Sequence, residues 1–188
     1  MSAIAPSDVA VVILNWNGRN HLETYLPSVL THTPLDSQVW VVDNGSSDES
    51  VEWLKTHHGD RIQVVELNQN HGFAEGYNRG LTHIEAEVYV LLNSDVRLDG
   101  PWIEPVLKVM DSRDWDVASP LMVQDERPSM CDHAGAAGGW MDKDGYPFCL
   151  GRLFQSVEPV DDWLTQNREV FWASGACFFI RKSAWCDS

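Results

Sequence analysis

The sequence predicts an α/β fold: a mostly parallel sheet flanked by helices, followed by a loop-rich C-terminal part. Three observations predict it. Short apolar runs rich in β-branched residues recur through the first half of the chain, a helical stripe follows each, and the runs close on Asn, Asp or Gly rather than on hairpin turns. Strands alternating with helices at this spacing imply crossover connections, hence parallel strands covered on both faces.

Val9 to Leu14 is a continuous apolar run that stops at Asn15-Trp16-Asn17-Gly18, as a buried strand ending in a turn does. Asn20 with Glu23 three residues on has the form of a capping box. Leu22, Tyr25, Leu26, Val29 and Leu30 then share one helical stripe, which Pro27 is expected to kink or shorten. Val39 to Val42 is the second strand, closed by Asp43-Asn44-Gly45, and Ser46 with Glu49 offers a cap for a short helix carrying Val51 and Leu54. Ile62 to Leu67 is the third strand, and Phe73, Tyr77, Leu81 and Ile84 form the next stripe. Val88 to Leu92 is the fourth strand, ending in Asn93-Ser94-Asp95, and Pro101 is expected to be the first residue of a helix with Ile103, Val106, Leu107 and Met110 inward. After about residue 120, Gly135, Gly138, Gly139, Gly145 and Gly151 punctuate loops and short strands, and the apolar stretch Glu169 to Arg181 is expected to return to the sheet.

The chain has 188 residues, enough for one domain with a sizeable core. Thirteen basic against 28 acidic residues leave a net charge of −15, which argues against a nucleic-acid partner, since phosphate neutralisation needs a basic surface. Nine tryptophans and 44% hydrophobic residues set it apart from disordered acidic chains. Cys131, Cys149, Cys177 and Cys186 form no CxxC pair and lie at no zinc-finger spacing, so a reduced compartment is the simpler reading. No basic-then-apolar leader and no membrane-length apolar run is present; the expected location is cytoplasmic, with peripheral membrane contact left open.

In a parallel sheet the strand exits share one edge, where α/β folds bind ligands. Asn15, Asn17, Asp43, Asn44, Asn93 and Asp95 therefore converge on one crevice although each, taken alone, is an ordinary turn former. A carboxylate at Asp95 suits Mg²⁺ or Mn²⁺ with a diphosphate supplying further oxygens; a turn or capping aspartate is the equal alternative on spacing alone. Asp43 suits a nucleobase ring N–H, with a turn again as the alternative. The stretch Asn70 to Gly80 places Gly72, Gly76 and Gly80 where a helix begins, and glycine there calls for a close approach by a ligand backbone or a neighbouring strand. No G-x-G-x-x-G follows the first strand and no G-x-x-x-x-G-K-[ST] occurs, which disfavours dinucleotide dehydrogenases and P-loop nucleotidases. One glycine in Asn15-Trp16-Asn17-Gly18-Arg19 is too few for the phosphate loop of a sugar-phosphate nucleotidyltransferase.

With Val11-Val12-Ile13-Leu14-Asn15-Trp16-Asn17, Val41-Val42-Asp43-Asn44-Gly45-Ser46-Ser47-Asp48, the glycine-punctuated stretch, Leu91-Leu92-Asn93-Ser94-Asp95, Ala134-Gly135 and Ser174-Gly175-Ala176-Cys177 with Arg181-Lys182, the chain resembles a family 2 glycosyltransferase of the rhamnosyltransferase-like branch. The resemblance covers nearly the whole chain. It implies a GT-A fold with a Rossmann-like sheet and one domain over residues 1–188, divided into a nucleotide-binding half at about 8–119 and an acceptor-side part at about 120–188. It also implies a nucleotide-diphosphate sugar donor, dTDP- or UDP-linked, and a glycan or lipid-linked acceptor. By the same resemblance Asp43 contacts the base, Asn15 and Asn17 lie beside the nucleoside, Asn78 lines the nucleotide pocket, and Asn93-Ser94-Asp95 stands for the family's D-x-D element. Asp95 would hold the cation, while Asn93 replaces the usual first carboxylate and can hydrogen-bond a ribose. His133 is a further candidate beside the donor, against a plain surface histidine.

The implied chemistry is inverting sugar transfer to a hydroxyl, assisted by the cation. The family's Glu-Asp base element is expected about twenty residues beyond Arg181-Lys182, past Ser188, so no catalytic base is assigned and the chain is read as truncated before it. The alternative is a nucleotide-sugar-binding module without turnover. Arg79, Arg97, Arg181 and Lys182 are the cations available to a diphosphate, each with a plain surface charge as its alternative. Trp140, Trp163 and Trp172 are candidates to stack on acceptor sugars, with core packing as the default.

Overall fold

The computed structural model describes residues 3–133, 135–153 and 156–186. After a 3-10 turn at Pro6–Asp8 come β1 (Val9–Asn15), α1 (Arg19–His32), β2 (Gln38–Asp43), α2 (Ser50–His58), β3 (Gln63–Glu66), α3 (Phe73–Leu81), β4 (Val88–Leu92), α4 (Ile103–Arg113) and β5 (Val117–Ala118). The short strands β6 (Gly139–Met141), β7 (Pro147–Cys149), β8 (Arg152–Leu153) and β9 (Ser156–Val157) follow, then β10 (Cys177–Arg181) and α5 (Lys182–Cys186). The central sheet has the order β3-β2-β1-β4-β10-β5. Its first four strands are parallel, and β10 runs antiparallel between β4 and β5. This is the α/β, mostly parallel architecture that the strand and helix alternation predicts.

Alternation along β1 feeds both faces. Val9, Val11 and Ile13 pack with Leu22, Leu26 and Val29 of α1, Leu54 of α2 and Ile103, Leu107 and Met110 of α4. Ala10 and Val12 pack on the other face with Tyr77 and Leu81 of α3. Residues between β5 and β10 carry a third, small cluster of Cys131, Ala136, Leu150 and Leu164. That segment is inserted between two strands of one sheet, so both of its ends are pinned near the core.

Several helix boundaries differ from expectation. α1 begins at Arg19 with Gly18 as N-cap and no side-chain cap, so Asn20 lies inside the helix and makes no capping box. α1 also runs on through Pro27. Pro27 and Glu23, whose carbonyl the missing N–H would have met, are both exposed, so water can take that carbonyl. α2 starts at Ser50 with Glu49 as N-cap, because the Ser46 hydroxyl is committed to the β1 exit instead. Pro101 precedes the N-cap Trp102 of α4 rather than opening that helix. The glycines of α3 resolve as a helix pressed onto strands: a Cβ on Gly80 would sit 2.5 Å from a Val42 methyl, and one on Gly76 would sit 3.0 Å from a Leu14 methyl. Gly72 has a different reason, a φ of +80° at the N-cap with open space around it.

Candidate functional site

The carboxyl ends of β1 and β2 are level, with Asn15 opposite Asp43. Both are almost fully buried. The Asn15 amide donates to Asp43 Oδ1 at 2.9 Å and to Ser46 Oγ at 3.2 Å, and Ser46 N–H donates to Asp43 Oδ2 at 2.9 Å. A buried carboxylate needs such donors. Two residues past Asn15, in the loop after β1, Asn17 adopts a left-handed φ of 51°, which Asn tolerates better than most residues. Its Oδ1 accepts from the backbone of Ser47 at 2.7 Å and of Asp48 at 3.3 Å, and its own N–H donates to Ser46 Oγ at 2.9 Å. The two loops after β1 and β2 are thereby sewn together, and Asn17 lines a polar hollow with Arg19, Asn20, Ser47, Asp48 and Glu49.

Asn44, one of the residues that the sequence places at the crevice, and Ser46, whose chemistry there suggests a helix cap, both hold the strand exits together. The buried Asn44 amide donates to Gly72 O at 2.9 Å and to Asn70 Oδ1 at 3.1 Å, and its Oδ1 accepts from His71 N at 3.0 Å. It ties the β2 exit to the loop before α3. Asn15 Oδ1 is buried and without a hydrogen-bond partner, and a Cβ on Gly18 would lie 2.5 Å from it. Gly18 is therefore needed for room, and the same Cβ would lie 3.8 Å from Ser94 Oγ after β4. Asn93-Ser94-Asp95 thus adjoins the Asn15 end of the crevice.

Asn93 N–H donates to Ala176 O at 2.9 Å, extending the sheet past the end of β4. Asp95 is exposed beyond it. Among the described residues no group of three or more His, Cys, Asp or Glu side chains gathers for a metal ion. One exposed carboxylate beside an amide and a hydroxyl is the donor set of a cation that arrives with a diphosphate and keeps most of its ligands from phosphate and water. The residues fit Mg²⁺ or Mn²⁺ in that role and not as an all-protein site.

Asn78 is placed elsewhere. Gly76 and Gly80 face the sheet, and a residue two positions from each lies about 200° around the helix. Asn78 is exposed there, lining a separate hollow with Asn68, His71, Glu75, Arg79, Thr82 and His83. The cations proposed for the diphosphate are all engaged: Arg79 with Glu75 at 2.7 Å, Arg97 with Asp125 at 2.6 Å, Arg181 with Asp111 at 3.1 Å, and Lys182 with Glu85. Arg181 pairs in register with Val88, at the opposite edge of the sheet from Asn93.

His133 is half-buried, with Nδ1 3.1 Å from Asp132 Oδ2 and Nε2 3.0 Å from Ser174 Oγ. Ala134 lies outside the described residues. Trp172 packs onto the backbone at Gly135 and Gly139, in line with the core reading. Trp140 and Trp163 are 36% and 46% exposed and meet edge to face, with the Arg168 guanidinium 3.7 Å over Trp163. No helix among the described residues is long and apolar enough to cross a membrane.

The profile of the family described as "Glycosyl transferase family 2" matches residues 10–184. The low-salt glycan biosynthesis hexosyltransferase Agl10 of Haloferax volcanii is 22% identical over 180 residues, 94% of this chain and 53% of its own length. The putative teichuronic acid biosynthesis glycosyltransferase TuaG of Bacillus subtilis is 28% identical over 125 residues, 64% of this chain and 50% of its own. The chain spans about half the length of these curated relatives. Among solved structures, residues 1–349 of S. aureus TarS superpose with a TM-score of 0.61 at 18% identity, over 96% of this chain and 48% of that one. The same protein in complex with UDP-GlcNAc gives a TM-score of 0.53 at 21% identity, over 62% of this chain and 34% of that one. These superpositions show a shared GT-A glycosyltransferase fold.

Proposed function

The chain belongs to glycosyl transferase family 2, and from that membership we propose that it carries the donor-binding part of an enzyme that moves a sugar from a nucleoside diphosphate to a hydroxyl acceptor. The observation that carries this reading is the Asn15–Asp43–Ser46–Asn17 network at the β1 and β2 exits, with Asn93-Ser94-Asp95 beside it after β4. A buried, fully oriented carboxylate and amide recognise a base edge, and an exposed carboxylate one strand away meets the diphosphate.

In this reading the pyrimidine of a UDP- or dTDP-linked donor lies against Asp43, with Asn15 and Asn17 on the nucleoside side. Asp95 would hold Mg²⁺ or Mn²⁺ on the diphosphate, and that cation supplies charge neutralisation for the leaving group. The acceptor oxygen attacks the anomeric carbon as the bond to the diphosphate breaks, inverting that centre. The acceptor's proton passes to a base that the described residues do not identify. A glycan or lipid-linked acceptor fits relatives named for glycan and teichuronic acid synthesis and for undecaprenyl-phosphate arabinose transfer. The matching location is cytoplasmic, with peripheral contact at the inner face of the membrane where the acceptor is lipid-linked. The division at about residue 120 assigns the nucleotide to the first part and the acceptor to the second, and the rhamnosyltransferase-like branch is the finer placement proposed.

The test is thermal shift and calorimetry with UDP and dTDP, with and without Mn²⁺, on the wild type and Asp95→Ala. The expected result is stabilisation by one nucleotide that grows with Mn²⁺ and a loss of that increment, with an unchanged ligand-free melting point, in Asp95→Ala. A cation increment that survives in Asp95→Ala removes Asp95 from the site. No stabilisation by either nucleotide removes the donor reading. Donor-hydrolysis and transfer assays run alongside complete the test: nucleotide binding without turnover favours a binding module.

A further inference from the structure

Across the strand exits the order is Asp43 on β2, Asn15 on β1, Asn93-Ser94-Asp95 after β4, and Ser174-Gly175-Ala176 entering β10. Neighbouring strands are spaced about 4.8 Å apart. A nucleotide sugar laid along this edge with its base at Asp43 and its diphosphate at Asp95 therefore carries its sugar toward the entry of β10. This step rests on the donor reading above. One side chain of the inserted segment, His133, reaches that entry, with Asp132 behind it. Asp132 Oδ2 lies 3.1 Å from His133 Nδ1, and His133 Nε2 lies 3.0 Å from Ser174 Oγ. Ser174 is 7% exposed and accepts from Ala176 N–H at 3.3 Å, and Ala176 O accepts from Asn93 N–H at 2.9 Å.

These contacts form one hydrogen-bonded chain from Asp132 through His133, Ser174 and Ala176 to Asn93. A carboxylate can only accept, so the contact assigns the hydrogen to Nδ1, whose N–H donates to Asp132 Oδ2; in that tautomer Nε2 accepts from the Ser174 hydroxyl. Ser174 Oγ is then oriented by two partners: its proton points to the ring, and its lone pair meets Ala176 N–H. The loop bearing His133 has its own anchor, with Ala136 N–H donating to His133 O at 3.0 Å and Asp132 N–H donating to Met122 O at 3.1 Å. We propose that His133 is a positioning residue that clasps Ser174, so that the β10 entry forms the wall of the donor's sugar subsite, leaving the nucleoside subsite to β1 and β2. The clasp joins residues 41 positions apart and links the inserted segment to the crevice.

The test compares affinity for UDP with affinity for UDP-GlcNAc, both with Mn²⁺, in the wild type, His133→Ala, His133→Gln, Ser174→Ala and the double variant His133→Ala/Ser174→Ala. His133→Ala should leave UDP affinity unchanged and alter the UDP-GlcNAc to UDP affinity ratio by about fivefold to tenfold, the scale of one oriented hydrogen bond. His133→Gln, which keeps a polar group near the Nε2 position, should restore part of the ratio. Ser174→Ala should reproduce the change, and the double variant should add little to either. Equal weakening of both ligands, or a lowered melting point with an unchanged ratio, overturns the clasp. If the wild type binds neither UDP nor dTDP, the donor reading fails and the clasp with it; if it binds dTDP alone, the same ratio is read with dTDP-glucose against dTDP, and a ratio that does not respond for the nucleotide that binds overturns the clasp alone.

Discussion

Asp48 stands where two loops meet. Its carboxylate accepts from Arg19 N–H and Ser50 N–H, each at 3.1 Å, and from the Ser50 hydroxyl. Burial alone would raise its pKa, and this is the largest single influence. The Ser50 hydroxyl, the two backbone donors and the Arg19 charge together outweigh it and hold the carboxyl below its ordinary value. The sign follows from proton binding: the unfolded chain takes up the proton at higher pH than the folded one, so stability is present above the unfolded carboxyl value, about 3.9, and is lost as pH falls through the folded value. Asp48→Ala should therefore cost about 1 kcal/mol at neutral pH, the scale of a lost acceptor at a helix start, with the gap to the wild type closing in acid. Urea unfolding across the acid range measures it. A gap constant with pH would mean that the charge of Asp48 is irrelevant.

At the scale of elements, α3 rests on glycine against valine. The Cβ of a Gly80→Ala variant would lie 2.5 and 2.7 Å from the two Val42 methyls, and a β-branched side chain in a strand has little freedom to turn away. Alanine gains about 1 kcal/mol in helix propensity, but overpacking costs about 1–3 kcal/mol, so the expected net effect is a loss of about 1 kcal/mol. In a Val42→Ala background both methyl clashes are gone and only the residue-42 Cβ remains close, at 3.1 Å, so the same substitution should cost less or become neutral. Chemical denaturation of the wild type, the two single variants and the double variant measures this coupling, and additive effects would refute the contact. The strands and their level exits were legible because a six-residue β-branched run admits few structures, and level exits bring Asn15 to Asp43. Helix starts were less legible: Asn20 and Ser46 have capping chemistry, but Ser46 is taken by the Asn15 amide and Asn17 N–H, and that competition is tertiary. Asn78 could be moved off the crevice only by knowing which face of α3 its glycines press on the sheet. The contact of His133 with Ser174 follows no periodicity at all, so no local pattern announces it.

At the scale of the whole molecule, charge decides. If each of the 13 basic residues neutralised one carboxylate, 28 − 13 = 15 acidic groups would remain unmatched. The cations near the exits are already paired, as Arg97 is with Asp125 and Arg19 is with Glu23 at 2.7 Å and Glu49 at 2.9 Å. Exposed pairs of this kind contribute about 0–1 kcal/mol each, whereas the unmatched carboxylates repel one another across the entire surface. Salt shortens the screening length from about 10 Å at 0.1 M to about 3 Å at 1 M, which weakens both effects. The repulsion is longer in range and more numerous, so it should lose more. The melting point is therefore expected to rise with added NaCl, and to rise equally with KCl, since screening does not distinguish the two cations. The same field opposes the approach of an anionic nucleotide, so UDP affinity measured at constant Mn²⁺ should hold or improve with salt, opposite to the behaviour of a basic phosphate-binding surface. A melting point that falls steadily with salt would show that the ion pairs outweigh the repulsion, and an affinity that falls as well would place an unmatched cation at the diphosphate.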